Sequence, residues 1–401
     1  MFNAKTISAV AVLLATGLSH AQAQAPRFTG LGQVWYTQMM DNKLRLNSYT
    51  GPYQSNARFQ ENGFYFRRVE LKAAGTVGET LDWEFMIDPT ISGTDTVLQD
   101  IAIRYKLPNN IEIRMGQFKP LQTLEGTTSS SDILFAERSM LGRQFGDPRD
   151  RGVVASIGFG DSNAFNGRFH FGVFQGAAKA NDANAQKDLV ARLDMNYGRQ
   201  HYFGLYTMQG STNLSDKEGT LHGLSFGEYG PEAAKVFDNK DKSSNVGLFY
   251  RFQTSNFHAS FEAITGLIGR RYASLGATGG ASVNSNRKHL DQKFIGYVGT
   301  FGYTFDKHSI LARYDYMDYN SGSDWYGNVN PYKTAEGDFT PKYTEITVGY
   351  NYAFMPDRFR AANIKLNYIM RSKNFLRPMP GTSQVGEQGG DSIVAAFQFA
   401  F

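Results

Sequence analysis

Apolar and polar residues alternate along most of the chain, and the alternation has a period of two. Near the end of the sequence, Ile393, Phe397 and Phe401 share one face of an extended segment, whereas Gln398 lies on the other face. A period of two is that of a β-strand, and a strand between lipid and water has one apolar face and one small or polar face. No amphipathic helix longer than one or two turns fits the sequence.

Repeated along the chain, this pattern predicts sixteen strands. They are expected near residues 28–39, 63–75, 81–88, 98–106, 110–117, 151–159, 167–176, 187–197, 201–209, 245–253, 257–264, 292–304, 307–319, 341–353, 361–371 and 389–401. Short turns and long polar loops follow one another in turn, as in outer-membrane barrels with periplasmic turns and extracellular loops. Because lipid offers no partner to backbone groups, the sheet must close. The prediction is an all-β fold, a sixteen-stranded antiparallel transmembrane β-barrel.

The first residues are predicted to be an export signal. Lys5 precedes a short apolar stretch at 7–18, and Ala21-Gln22-Ala23 has the small residues of a cleavage site. This layout is typical of a secretory signal peptide. The predicted organisation is therefore a signal peptide at 1–23 and a single barrel domain at 24–401, located in the outer membrane of a Gram-negative cell.

Composition supports a barrel and excludes several other classes. The chain of 401 residues is only 41% apolar but 14% aromatic, and it has 42 glycines. The near balance of 41 Lys and Arg with 37 Asp and Glu argues against a nucleic-acid partner. Without cysteine, the chain has no disulfide and no thiolate metal site. We predict no cofactor and no metal. A soluble propeller would show repeats of about 40–50 residues, and none is found.

If the apolar face of each strand faces lipid, the other face lines the lumen. This register places eleven basic and eleven acidic residues inside, so their net charge does not choose between anions and cations. Basic residues on the second, fourth and fifth strands are close neighbours, namely Arg68, Lys72, Arg104, Lys106 and Arg114. Arginine suits bidentate contact with phosphate. Ordinary ion pairs inside the lumen, such as Arg68 with Glu70 or Arg114 with Glu112, are an equal alternative.

Five motifs occur in order between residues 63 and 176. They are Phe66-Arg67-Arg68-Val69-Glu70-Leu71, Gln99-Asp100-Ile101-Ala102, Met115-Gly116-Gln117-Phe118-Lys119-Pro120, Ser130-Ser131-Asp132-Ile133-Leu134-Phe135-Ala136-Glu137-Arg138-Ser139 and Gly172-Val173-Phe174-Gln175-Gly176. Together they resemble the phosphate-selective porin O and P family. The resemblance implies a sixteen-stranded, homotrimeric outer-membrane channel in which arginines lead anions to a lysine-lined constriction shaped by the third long loop. The rest of the chain is similar to the family only as a barrel.

The resemblance also implies roles for particular residues. Arg67, Arg68 and Lys119 match basic sites of the family, and the loop at 118–150 is expected to fold into the lumen as a constriction. This loop departs from the family because it contains one lysine and more acids than bases. The complete set of candidate pore-lining or anion-binding residues is Arg67, Arg68, Lys72, Arg104, Lys106, Arg114, Lys119, Arg138 and Arg143.

The leading functional prediction is a passive porin for small hydrophilic solutes, with anion or phosphate preference left open. Its partners would be outer-membrane lipid, the solute and two further copies of the chain. One alternative is a structural or adhesive barrel with a plugged lumen. Another is a hydrolase, since Gly223-Leu224-Ser225-Phe226-Gly227 has the G-x-S-x-G form, but it lacks the strand-to-helix context of a nucleophile elbow. A hydrolase would also need a Ser/His pair on adjacent lipid-facing strands, which the register does not provide. No enzymatic activity is predicted.

Overall fold

The computed structural model of the chain describes residues 25–40, 62–90, 97–160, 164–176, 179, 185–211, 242–272, 290–318, 321–322, 342–372, 376–378, 385–387 and 391–401. The predicted signal peptide and the G-x-S-x-G segment lie outside the described residues. Within them, no helix is long and apolar enough to cross a membrane.

Sixteen strands form one closed antiparallel barrel. The barrel strands are β1 (Arg27–Met39), β2 (Gly63–Val77), β3 (Leu81–Ile87), β4 (Leu98–Leu107), β5 (Ile111–Phe118), β6 (Asp150–Gly160), β7 (Phe165–Phe174), β8 (Asp188–Tyr197), β9 (His201–Ser211), β10 (Lys242–Gln253), β11 (Phe257–Tyr272), β12 (Leu290–Phe305), β13 (His308–Asp318), β14 (Lys342–Ala353), β15 (Ala362–Arg371) and β18 (Ser392–Ala400). Between β15 and β18, the short strands β16 (Leu376–Pro378) and β17 (Val385–Glu387) form a separate pair. The sixteen predicted strands are confirmed. The β16–β17 pair was not predicted, and it falls in a segment expected to be a long loop.

Each barrel strand pairs with its neighbours in the chain, and β18 completes the ring by pairing with both β15 and β1. At this seam the N–H of Gly30 donates to the carbonyl oxygen of Phe401 at 3.0 Å, and the N–H of Phe401 donates to that of Gly30 at 3.1 Å. The ring therefore has no free edge, which satisfies the requirement that lipid imposes on backbone groups.

The two faces of the strands differ as the alternation predicts. In β18, Ile393, Phe397 and Phe399 are 38%, 41% and 44% exposed, whereas Val394 and Gln398 are 4% and 1% exposed. The exposed side chains form the outer apolar surface, and the covered ones face the interior. The predicted register of this strand is therefore correct, and its polar side chains are inside the barrel.

One strand departs from strict alternation. Gln33 of β1 pairs with Arg68, but the next residue, Val34, pairs with Phe66, so Arg67 is an extra residue in β2. This β-bulge turns the side chains of both Arg67 and Arg68 to the inside, where both reach the same carboxylate. Without the bulge, Arg67 would share the lipid-facing side of β2 with Leu71.

The connection between β5 and β6 crosses the lumen. Gly116, near the end of β5, has a φ of 139°, which favours glycine. A Cβ at this position would overlap the carbonyl oxygen of Ile101 on β4. The connection then contacts β13, which is eight strands away in the ring of sixteen and therefore on the opposite wall. We call residues 119–149 the crossing loop.

Candidate pore constriction

Polar side chains of the far wall hold the backbone of the crossing loop. Hydrogen bonds run from Arg313 to Glu137 O (2.9 Å), from Asn351 to Leu134 O (2.8 Å), from Lys365 to Ile133 O (2.6 Å) and from Ala136 N–H to Asn367 Oδ1 (2.7 Å). A loop inside a barrel must find partners for its peptide groups, because buried backbone groups without partners are costly. Inward-facing polar residues on β13, β14 and β15 supply those partners.

Apolar side chains of the crossing loop form a small core inside the lumen. Ile133 and Phe135 are 2% and 1% exposed, and Met140 and Leu141 are fully buried. The guanidinium of Arg313 lies 4.6 Å from the centre of the Phe135 ring. This packing and the backbone hydrogen bonds fix the loop against the far wall of the barrel.

Two arginines of β2 share one carboxylate of the crossing loop. Glu137 accepts from Arg67 Nε at 2.9 Å and from Arg68 Nη2 at 2.8 Å. Arg68 also donates to Gln33 Oε1 at 2.7 Å. Burial alone would raise the pKa of Glu137, but the positive charges of Arg67 and Arg68 outweigh it and hold this pKa well below its usual range. Glu137 therefore stays ionised and neutralises part of the arginine pair.

A second ion-pair centre lies at the base of the loop. Asp147 is 2.6 Å from Lys119 Nζ and 3.1 Å from Arg138 Nε. Arg138 is fully buried and also donates to Ser130 Oγ at 3.2 Å and to the carbonyl oxygen of Glu125. Burial, and then repulsion from Arg138, lower the pKa of Lys119 to about 7 against the pull of Asp147, whose own pKa is held well below its usual range.

The third centre ties the loop to β14. Glu345 is completely buried and faces three guanidinium groups, with Arg143 of the loop at 3.3 Å, Arg313 at 3.5 Å and Arg371 at 3.3 Å. Arg313 has a second carboxylate partner, Asp315, at 2.7 Å. This cluster joins the loop to three neighbouring strands, so the charged groups here act as an anchor.

The remaining candidates lie on the wall formed by β2 to β5. Glu84 pairs with Lys72 at 2.6 Å and with Arg114, and Asp82 pairs with Lys106 at 2.9 Å. Arg104 lies directly opposite Asp82 in the strand register but is not within 4 Å of a carboxylate among the described residues. The wall is thus close to neutral.

The structure brings the nine candidate bases to the lumen or the loop and pairs eight of them with an acid, Arg104 being the exception. Ordinary ion pairing inside the lumen, the alternative from the sequence, is therefore what the geometry shows. The pairs are partly different from those expected. Arg68 is 4.0 Å from Glu70, but Glu112 pairs with Arg168 at 2.6 Å and Arg114 pairs with Glu84.

Two residues that hold the loop had no predicted role. Glu262 accepts from the N–H of Leu124 at 2.7 Å and from the hydroxyl of Tyr206 at 2.9 Å, and it contacts no base among the described residues. Lys365 contacts carbonyl and amide oxygens rather than carboxylates. The register places both side chains inside the barrel. An ionisable residue on the luminal face of a strand indicates that a loop supplies its hydrogen-bond partner, but the sequence does not identify which loop.

A Ser–His–Asp chain also lies on the luminal face. His170 Nδ1 is 2.7 Å from Ser156 Oγ, and His170 Nε2 is 3.1 Å from Asp194. Acyl transfer would also require N–H donors for an oxyanion. Ser156 lies in the middle of the sheet, paired with Glu112 on one side and His170 on the other, so its strand offers none. In the described part of the chain, no three His, Asp or Glu residues cluster as a metal site would require.

Known proteins share this architecture. The outer-membrane channel DcaP of Acinetobacter baumannii is 11% identical with a TM-score of 0.57, over 96% of this chain and 99% of that one. The trimer form of OmpT from Vibrio cholerae is 13% identical with a TM-score of 0.52, over 95% and 100%. An anion-selective porin from Comamonas acidovorans is 12% identical with a TM-score of 0.52, over 95% and 100%. At these identities the likeness shows the fold alone.

A search of curated protein sequences gave no match. The profile of the family described as phosphate-selective porin O and P, by contrast, matches residues 44–401, most of the chain. That span includes fifteen of the sixteen barrel strands and the whole crossing loop. The protein is therefore an outer-membrane channel, and the chain belongs to the phosphate-selective porin O and P family.

Proposed function

We propose that this channel passes small hydrophilic solutes by passive diffusion, with a weak preference for anions and no specific phosphate site at the crossing loop. The observation that carries the proposal is the pairing of eight of the nine candidate bases with carboxylates. A guanidinium whose donors already meet a carboxylate has few left for phosphate. A lumen of mixed charge still holds water, as general diffusion requires.

The weak anion preference is inferred from the bases that remain accessible. Arg104 has no carboxylate within 4 Å in the described part of the chain, and the side chains of Lys72 and Lys106 are 36% and 42% exposed despite their partners. Pairs as exposed as these are screened by salt and open easily. An anion can therefore meet positive charge along this wall, although no group is built to retain it.

The remaining parts of the proposal concern the whole molecule. We infer that residues 118–150 form the constriction, that residues 1–23 are removed as a signal peptide, and that three copies assemble in the membrane. The trimer form of OmpT and the anion-selective porin from Comamonas acidovorans support the assembly and the ion preference by similarity of fold.

Planar-bilayer recording tests the proposal. We expect steady conductance and a reversal potential in a salt gradient that shows a small anion preference. Millimolar phosphate should affect the chloride current equally in the unmodified protein and in Arg68→Gln, because the crossing loop holds no specific phosphate site. Absence of conductance would instead favour the structural or adhesive barrel. A phosphate block that Arg68→Gln removes would show that the loop holds a phosphate site despite its ion pairs.

The preference should depend on pH through Lys119. Its pKa of about 7 means that it loses its proton as the pH rises through neutrality, while Asp147 stays charged. The loop then carries one less positive charge, so the anion preference should fall between about pH 6 and about pH 8. The reversal potential measured across this range tests the effect. Lys119→Arg keeps its charge and should show a clearly smaller fall than the unmodified protein; equal falls in the two proteins, or a flat profile in the unmodified protein, would contradict the assignment.

A further inference from the structure

Two arginines line a cavity at the turn end of the barrel, beyond the crossing loop. A cavity of about 490 Å³ lies at the end of β8, β9 and β10 that carries the short turns, and Arg199, Tyr202, Arg251, Gln253 and Thr254 are among the residues that line it. We call it the turn-end pocket. None of the nine candidate residues lines it. By the topology rule for outer-membrane barrels, this end faces the periplasm.

Arg251 is held in the pocket by stacking and not by a carboxylate. Its guanidinium carbon lies 4.9 Å from the centre of the Tyr202 ring. The ring is itself fixed, because the Tyr202 hydroxyl donates to Asp194 at 2.7 Å and accepts from Arg192 at 3.1 Å. Stacking covers one face of the guanidinium and leaves its in-plane N–H donors available for a ligand.

Negative charge is absent from the lining of the pocket. The eight residues that form it include two arginines, Arg199 and Arg251, and no aspartate or glutamate. Neither arginine is within 4 Å of a carboxylate among the residues the structure describes. The nearest acid on these strands, Asp194, already accepts from Arg192, Tyr202 and His170. In this respect the pocket differs from the crossing loop, where each arginine has an acid.

The wall of the pocket continues directly from the crossing loop. Arg192 donates to the loop carbonyl oxygen of Thr123 at 3.0 Å and to the hydroxyl of Tyr202, whose ring supports Arg251. Arg251, near the end of β10, and Arg199, in the turn that follows β8, therefore lie between the crossing loop and the turn end of the barrel.

We propose that the turn-end pocket binds a small oxyanion, the carboxylate or phosphate group of a permeating solute, through the guanidinium groups of Arg251 and Arg199. Bidentate contact with the two oxygens of such a group is the geometry that arginine favours. The side-chain amide of Gln253 and the hydroxyl of Thr254 lie in the same lining and supply neutral donors. The volume falls within the range of small-molecule sites, about 300–1,000 Å³, and accepts more than a chloride ion.

Calorimetric titration of the purified protein in detergent micelles, with succinate and inorganic phosphate added separately, tests this site without relying on conductance. Arg251→Gln should weaken binding of the preferred anion at least about tenfold, a free-energy change of about 1.4 kcal/mol. The matched control is Arg168→Gln, which removes another luminal arginine, one already paired with Glu112. It should bind within about twofold of the unmodified protein, because its donors are already in use.

The pocket inference rests on the proposed channel only for the source of its ligand, so the two can fail separately. A protein that conducts but binds neither anion would refute the pocket and leave the channel. A protein that binds an oxyanion through Arg251 but does not conduct would refute the channel and leave the pocket. Equal loss of binding in Arg251→Gln and Arg168→Gln would also refute the pocket, since it would show a response to overall luminal charge.

Discussion

Glu137→Gln is expected to turn a weakly selective constriction into an anion site. The change removes the carboxylate that Arg67 and Arg68 share and leaves side chains of the same size. One added unit of positive charge is worth about 1 kcal/mol at about 15 Å when the effective dielectric constant is about 20. The ratio of anion to cation permeability should therefore rise at least about fivefold. Millimolar phosphate should now block chloride current, because two guanidinium groups regain their donors.

Reversal potential and phosphate block in planar bilayers measure this change, and unit conductance shows whether the loop has stayed in place. Glu112→Gln is the matched control, since it frees Arg168, a more exposed arginine on the wall. Its effect on selectivity should be clearly smaller. An unchanged reversal potential in Glu137→Gln, at unchanged conductance, would show that this arginine pair does not lie on the ion path.

Glu345→Gln is expected to give the largest loss of stability. Glu345 has no exposed side-chain surface and faces Arg143, Arg313 and Arg371. Breaking a buried ion pair from one side costs about 3–5 kcal/mol, because the remaining charge stays buried without its partner. Arg313 keeps Asp315, so the loss should fall on Arg143 and Arg371 and loosen the attachment of the crossing loop.

Denaturant unfolding in detergent measures the stability loss, and single-channel recording measures the loop. We expect a lower unfolding midpoint together with larger, less steady conductance. Glu112→Gln again provides the comparison, with a loss of about 0–1 kcal/mol expected for a partly exposed pair. If Glu345→Gln unfolded at the same denaturant concentration as the unmodified protein, the cluster would not be an anchor.

The barrel could be predicted from the sequence because lipid and water impose opposite demands on successive residues. Phe397 and Phe399 of β18 could face only lipid, and Gln398 between them could face only the interior. The same contrast predicts that Lys365 of β15 and Glu262 of β11 face the interior. The alternation of short turns and long loops then predicts the strand order, because in an outer-membrane barrel strands that follow one another in the sequence pair as antiparallel neighbours.

The details of the site depended on contacts that alternation does not encode. The β-bulge that turns Arg67 inward arises from the pairing of β1 with β2, and β2 alone shows no sign of it. The crossing loop has no periodicity, so the grip of Asn351 and Lys365 on its backbone could not be predicted. Glu112 on β5 pairs with Arg168 on β7, across the intervening strand β6. Their separation along the sequence gives no indication of this contact.

The seam between β1 and β18 has a consequence for the order of folding. Its nine residue pairs, from Leu31 with Ala400 to Met39 with Ser392, join positions separated by most of the chain. The other barrel pairs join strands that are neighbours in sequence, so hairpins can form early, whereas the seam must wait until the last strand is available. Until then the growing sheet has two open edges that could pair with another chain. Protection of those edges during insertion is thus as much a requirement of this architecture as the lipid-facing aromatic surface.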